Sequence, residues 1–164
     1  MPRFLLLAIM LTTSLVASEL KTAYSYQNAL YQARKAHKLV MVMMALRHCP
    51  ACNYMKDIVL ERPQIRSYLE AHFVTVIKDI EHDRYPERFA VIDSPTLFFI
   101  DPENGKEIIP KLTGGLQPAE FLALLQSLTA AEANGTRPAA VTPDRTIAPC
   151  SKNEPCREEK KVRL

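Results

Sequence analysis

Cys49 and Cys52 stand with two residues between them in His48-Cys49-Pro50-Ala51-Cys52. Two thiols at that spacing can close an inert disulfide, supply half of a zinc or copper site, or exchange disulfides with another molecule. Exchange needs a thiolate, because the ionised sulfur is the nucleophile. Pro50 tolerates the first turn of a helix, where its missing N–H would have no partner anyway. A helix opening near Cys49-Pro50 points unpaired N–H groups and the positive dipole end at the Cys49 sulfur. Cys52, one turn on, is then shielded yet close enough to displace whatever Cys49 captures. This reading requires Cys49 to be reachable.

A second pair, Cys150 and Cys156, lies about a hundred residues later in a polar stretch. An oxidised local loop is the simplest expectation for it. A redox relay or self-substrate for Cys49, metal capture and an intermolecular bond are the alternatives. His48 can assist Cys49 as a cation near neutral pH, or serve as a third metal ligand. Met41, Met43, Met44 and Met55 are compatible with copper, but their plainer reading is buried packing. His37, His72 and His82 read as surface residues.

The elements around these residues follow from periodicity. Tyr26, Ala29, Leu30 and Ala33 mark an amphipathic helix with Ser25 as its N-cap. Residues 39–46 are apolar throughout and predict a strand covered on both faces. Met55, Ile58 and Val59 give the helix after Cys49 an inner stripe. Arg62-Pro63 interrupts it, and Ile65, Tyr68 and Leu69 continue in a further helix. Residues 73–77 and 96–100 are β-branched and aromatic, hence strands. Residues 81–91 carry a weak helical pattern. Residues 101–105 are turn chemistry, residues 107–112 can return as an antiparallel partner, and Gly114-Gly115 breaks that strand. Phe121, Leu124, Leu125 and Leu128 mark a final helix. The order predicts an α/β fold with a mixed four-stranded sheet flanked by helices.

The chain has 164 residues, with 21 Lys and Arg against 18 Asp and Glu, a formal net charge of +3. So small a surplus gives no footing for nucleic-acid binding. A basic start at Met1-Pro2-Arg3, a short apolar run and small residues at Ala17 and Ser18 read as a signal peptide over 1–18. The run is short for a membrane span, so the expected mature protein is not membrane-spanning. Disulfides persist in the compartment this implies. The domain is expected over 19–133, with a mostly disordered tail over 134–164 that carries the second cysteine pair.

The strand, the Cys-Pro-Ala-Cys turn, the helix and the later Ser94-Pro95-Thr96 together resemble the thioredoxin superfamily, over about residues 25–130. The nearest resemblance is to the exported bacterial thioredoxin-like group called thioredoxin-related or SoxW-like. It implies the thioredoxin-like fold, with Cys49 and Cys52 as the catalytic pair. It implies a cis peptide before Pro95, facing the cysteines. It also implies a substrate-binding surface from Ser94, Pro95, His48, Pro50 and Ala51, with Ser94 offering its backbone to a bound peptide as an added strand.

Two departures stand out. His48 replaces the Trp usual before the first cysteine. Met43 occupies the strand position of the usual buried Asp, which removes a proton acceptor.

The function expected is thiol–disulfide exchange in the periplasm, as a reductase of particular exported protein disulfides. A membrane thiol–disulfide electron carrier is the expected reductant. Neither an organic cofactor nor a resident metal is expected. The alternatives are a periplasmic copper or zinc carrier using Cys49, Cys52 and His48, and a non-catalytic adaptor on the same scaffold.

Overall fold

The structure, a computed structural model, describes residues 19–134 and 150–151. The expected signal peptide over 1–18 lies outside the described residues. So does the expected tail, apart from Asn134, Cys150 and Ser151.

Helix α1 spans Tyr26–Ala36, and Ser25 caps it by accepting the Asn28 N–H at 3.1 Å. Its chain reverses at His37, whose φ is 53°. Strand β1 follows at Leu39–Ala45, then α2 at Pro50–Asn53, α3 at Pro63–His72 and β2 at Phe73–Asp79. Strands β3 at Asp93–Ser94, β4 at Thr96–Ile100 and β5 at Leu112–Thr113 lead into α4 at Pro118–Ala133. Strand β6 is the short segment Cys150–Ser151.

The main sheet runs β2-β1-β4-β5. β1 and β2 are parallel, with Leu39 opposite Phe73 and Ala45 opposite Asp79. The helical crossover between them makes that direction possible. β4 is antiparallel to β1, Met43 facing Leu97. The sheet is therefore the mixed four-stranded one that the pattern predicts.

β1 is apolar at every position because both of its faces are covered. Leu39, Met41, Met43 and Ala45 pack with Val59, Leu69, Phe99, Phe121 and Leu125 on one face. Val40, Val42 and Met44 pack with Ala29 and Ala33 of α1, and with Phe89 and Phe98, on the other. Each of the larger side chains among these contributes roughly 1.5–3 kcal/mol through burial. All four suspect methionines are fully buried, which settles them as core.

Three local expectations need correction. The helix after Cys49 changes at Tyr54–Val59 into a π-helical segment. The i to i+5 closure widens the turn and moves a three-residue offset away from the inner face. Met55 and Val59 stay buried while Ile58 turns out, 48% exposed. Residues 81–91 hold only a 3₁₀ turn at Glu87–Phe89, since Phe89 alone among them is a large buried anchor. The partner of β4 is shorter than residues 107–112. Glu107 makes a single bridge to Ile100, and pairing resumes only at Leu112–Thr113. Pro110 lacks the N–H a continuous ladder needs. Of the expected tail after Asn134, the described residues Cys150–Ser151 form strand β6.

Candidate active site

β1 delivers the chain to the carboxyl end of the sheet, where it turns through Arg47 and His48 into α2. Arg47 Nε sits 3.2 Å from Asp79 Oδ2 at the end of β2. Asp79 Oδ1 also accepts the N–H groups of Glu81 at 2.8 Å and His82 at 3.1 Å, and lies 3.0 Å from the His82 ring. Partial burial alone pushes the Asp79 carboxyl up. The hydrogen bonds from Glu81 and His82 outweigh that and hold it below the usual range. The ion pair between Arg47 and Asp79 links the start of the cysteine turn to the end of β2, a long-range contact that leaves no periodic signal. Asp79, Glu81 and His82 also form the one group of three potential metal ligands among the described residues, and it contains neither cysteine.

Cys49 is the N-cap of α2, and its Sγ accepts the Cys52 N–H at 3.1 Å. The two cysteines are joined as a disulfide, with Cα atoms 5.2 Å apart. That separation is ordinary for a disulfide. The hydrogen bond that caps the helix is thus directed at the atom that must bear negative charge after reduction. Charge-assisted bonds of this kind are about twice as strong as neutral ones. Met55, one turn on, carries the next restraint: its Sδ accepts the Leu116 N–H at 3.3 Å. Tyr54 donates to Gln117 Oε1 at 2.9 Å. These bonds tie the cysteine helix to the start of α4.

From the opposite side comes Ser94-Pro95, whose peptide bond is cis, in line with the resemblance. The Ser94 hydroxyl donates toward Cys49 Sγ at 3.6 Å, and the Ser94 carbonyl oxygen is also 3.6 Å from that sulfur. The Pro95 carbonyl accepts the Gly114 N–H at 2.8 Å, where Gly114 has a φ of 105° that favours glycine. The structure therefore brings Cys49, Cys52, Ser94 and Pro95 together. His48 and Pro50 lie exposed on either side of Cys49, whereas Ala51, Ser94 and Pro95 are buried.

One expectation fails outright. Cys49 is not open at the mouth of its helix; its exposure is 0%, the same as that of Cys52. Ser94 lies against its sulfur, and β6 runs antiparallel along Asp93–Ser94, with Cys150 opposite Ser94. Cys156 lies outside the described residues. The periodicity of the sequence carries no trace of β6, because two residues are too short to show one.

A family profile described as a thioredoxin-like domain matches residues 26–129. Among solved structures, a thioredoxin from Thermus thermophilus is 32% identical, with a TM-score of 0.60, covering 71% of this chain and 93% of its own. A DsbH oxidoreductase is 23% identical, TM-score 0.56, covering 74% of this chain and 92% of its own. A disulphide isomerase from Xylella fastidiosa is 17% identical, TM-score 0.51, covering 67% and 98%. The last two similarities speak for the fold alone. No curated protein sequence matches. Among the described residues, no helix is long and apolar enough to cross a membrane. The chain belongs to the thioredoxin-like domain family, and its Cys49–Cys52 pair gives it the make-up of a thiol–disulfide oxidoreductase.

Proposed function

We propose that this protein reduces disulfides of particular exported proteins in the periplasm, with Cys49 as the attacking thiol and Cys52 as the resolving thiol. The observation that carries the reading is the placement of Cys49 Sγ between the Cys52 N–H at 3.1 Å and the Ser94 hydroxyl at 3.6 Å. Both donors stabilise a sulfur that becomes negative.

In the reduced form, the Cys49 thiolate attacks one sulfur of the substrate disulfide. A mixed disulfide forms, and the other substrate sulfur leaves as a thiolate and takes a proton. Cys52 then loses its proton, attacks Cys49 Sγ and frees the second substrate thiol. The enzyme ends as the Cys49–Cys52 disulfide seen here. Met43 is fully buried where the family's acid would stand, so the Cys52 proton leaves by another route, such as water. The substrate chain would lie along Asp93–Ser94 as an added strand, held by backbone bonds, with His48 and Pro50 at the surface beside it and the buried Ala51 and Pro95 backing the site. β6 holds that edge in this structure, so an incoming peptide has to take its place.

A membrane thiol–disulfide carrier would restore the dithiol, which makes the signal peptide over 1–18 and placement within the SoxW-like group part of the same reading. The test is the Cys52→Ser variant exposed to periplasmic extract. Covalent adducts through Cys49 are expected, released by reductant and named by mass spectrometry. Recovery of none, together with stoichiometric zinc or copper in protein purified under reducing conditions, would replace this reading with metal carriage.

A further inference from the structure

Exchange chemistry at Cys49 and Cys52 leaves one pair of thiols without a task, Cys150 and Cys156. Cys150 is opposite Ser94 in the antiparallel pairing of β6 with β3. Directly opposed residues in such a ladder have Cα atoms about 4.5–5.5 Å apart. Ser94 in turn has two oxygens 3.6 Å from Cys49 Sγ. The register thus sets a cysteine of this same chain opposite the residue that contacts the attacking sulfur.

Exposure supplies an independent observation. Cys49 is closed to solvent although His48 and Pro50 beside it are exposed. Reaction at that sulfur needs a partner already packed beside it or movement of what encloses it, and the strand paired along the Ser94 edge carries a cysteine. Cys156, six residues beyond Cys150, supplies the second sulfur that a complete exchange needs.

We propose that Cys150 and Cys156 are a second redox pair that exchanges with Cys49 and Cys52 inside one molecule, with β6 presenting Cys150 as a built-in substrate. This rests on the exchange activity proposed above and names one substrate of that site. The Cys49 thiolate attacks Cys150 Sγ in a Cys150–Cys156 disulfide. The Cys49–Cys150 bond forms, the Cys150–Cys156 bond breaks, and Cys156 leaves as a thiolate and takes a proton. Cys52, after giving up its proton, attacks Cys49 Sγ, and Cys150 leaves as a thiolate. Two electrons pass from the first pair to the second, the first pair ends oxidised, and no outside oxidant or reductant is consumed. The reverse sequence reduces Cys49 and Cys52 at the expense of the second pair. Tethering within one chain gives the reaction an effective concentration on the order of millimolar.

The test uses the full chain carrying Cys52→Ser, in which the first step cannot be resolved. After removal of reductant and exposure to air, which serves as the two-electron oxidant that forms one disulfide, acid quenching, alkylation and peptide mapping are expected to find Cys49 linked to Cys150, with Cys156 alkylated. Cys49 left free while Cys150 and Cys156 remain linked to each other would overturn the proposal. Disulfide-bonded insulin, added to the Cys52→Ser, Cys150→Ser double variant, separates the two readings. An insulin adduct on Cys49 without a Cys49–Cys150 link in the single variant leaves the exchange activity standing and removes the relay. No adduct in either variant removes both. In the wild-type chain holding one disulfide per molecule, movement of that disulfide between the pairs should proceed at the same rate over a tenfold range of protein concentration. A rate proportional to concentration would also sink the intramolecular route.

Discussion

Ser94 meets Cys49 across 45 residues of sequence with two oxygens at once, its hydroxyl donating toward the sulfur and its carbonyl beside it, each at 3.6 Å. The hydroxyl can favour a thiolate, and the carbonyl can accept from a thiol. Loss of the hydroxyl should therefore disfavour the charged form. Ser94→Ala is expected to weaken stabilisation of the Cys49 thiolate by about 1 kcal/mol, read as a several-fold slower alkylation of the reduced protein at neutral pH. An unchanged alkylation rate would show that the Cys52 N–H alone carries the charge.

Asp79 makes stability depend on acid. Its folded-state titration lies below the ordinary carboxylate value because Glu81 and His82 hydrogen-bond its charged form more than burial disfavours it. Below about pH 4, the ordinary Asp value, the unfolded chain takes a proton that the folded chain still refuses. Its contribution is therefore complete above that pH and is lost as pH falls through the lower folded value. Urea unfolding at pH 6 and pH 3 should show a larger acid loss for wild type than for Asp79→Asn. Equal losses in the two proteins would remove Asp79 from the account.

Met43 is buried at 0% exposure, between Ile77 of β2 and Leu97 of β4. Met43→Ala should cost about 2–5 kcal/mol, through lost burial and the cavity left behind. The urea midpoint should drop with an unchanged slope. A loss below about 1 kcal/mol would mean that the surrounding core collapses into the gap.

Ser25 caps α1 through the Asn28 N–H at 3.1 Å, well away from the cysteines. Ser25→Ala should destabilise the protein by about 1 kcal/mol. Thermal unfolding checks the loss. Insulin reduction by the variant, assayed where it is fully folded, should match wild type, since α1 packs on the opposite face of the sheet from Cys49.

Much of this molecule was legible in its residue pattern. Residues 39–46 declared a strand buried on both faces because eight consecutive apolar side chains leave neither face for water. Ser25, Pro50 and Pro63 marked helix starts through local backbone chemistry, and Cys-Pro-Ala-Cys with Ser94-Pro95 pointed to exchange. Such signals are local, so they survive without knowledge of the fold. The π-helical turn that expels Ile58, the Asp79 tether on Arg47 and the pairing of Cys150 with Ser94 were not legible. Each depends on which distant segments meet, and a period of two or three and a half residues says nothing about that. The closure of Cys49 is the clearest case. A sulfur's chemistry can be read from its neighbours in the chain, but its exposure is set by what folds over it.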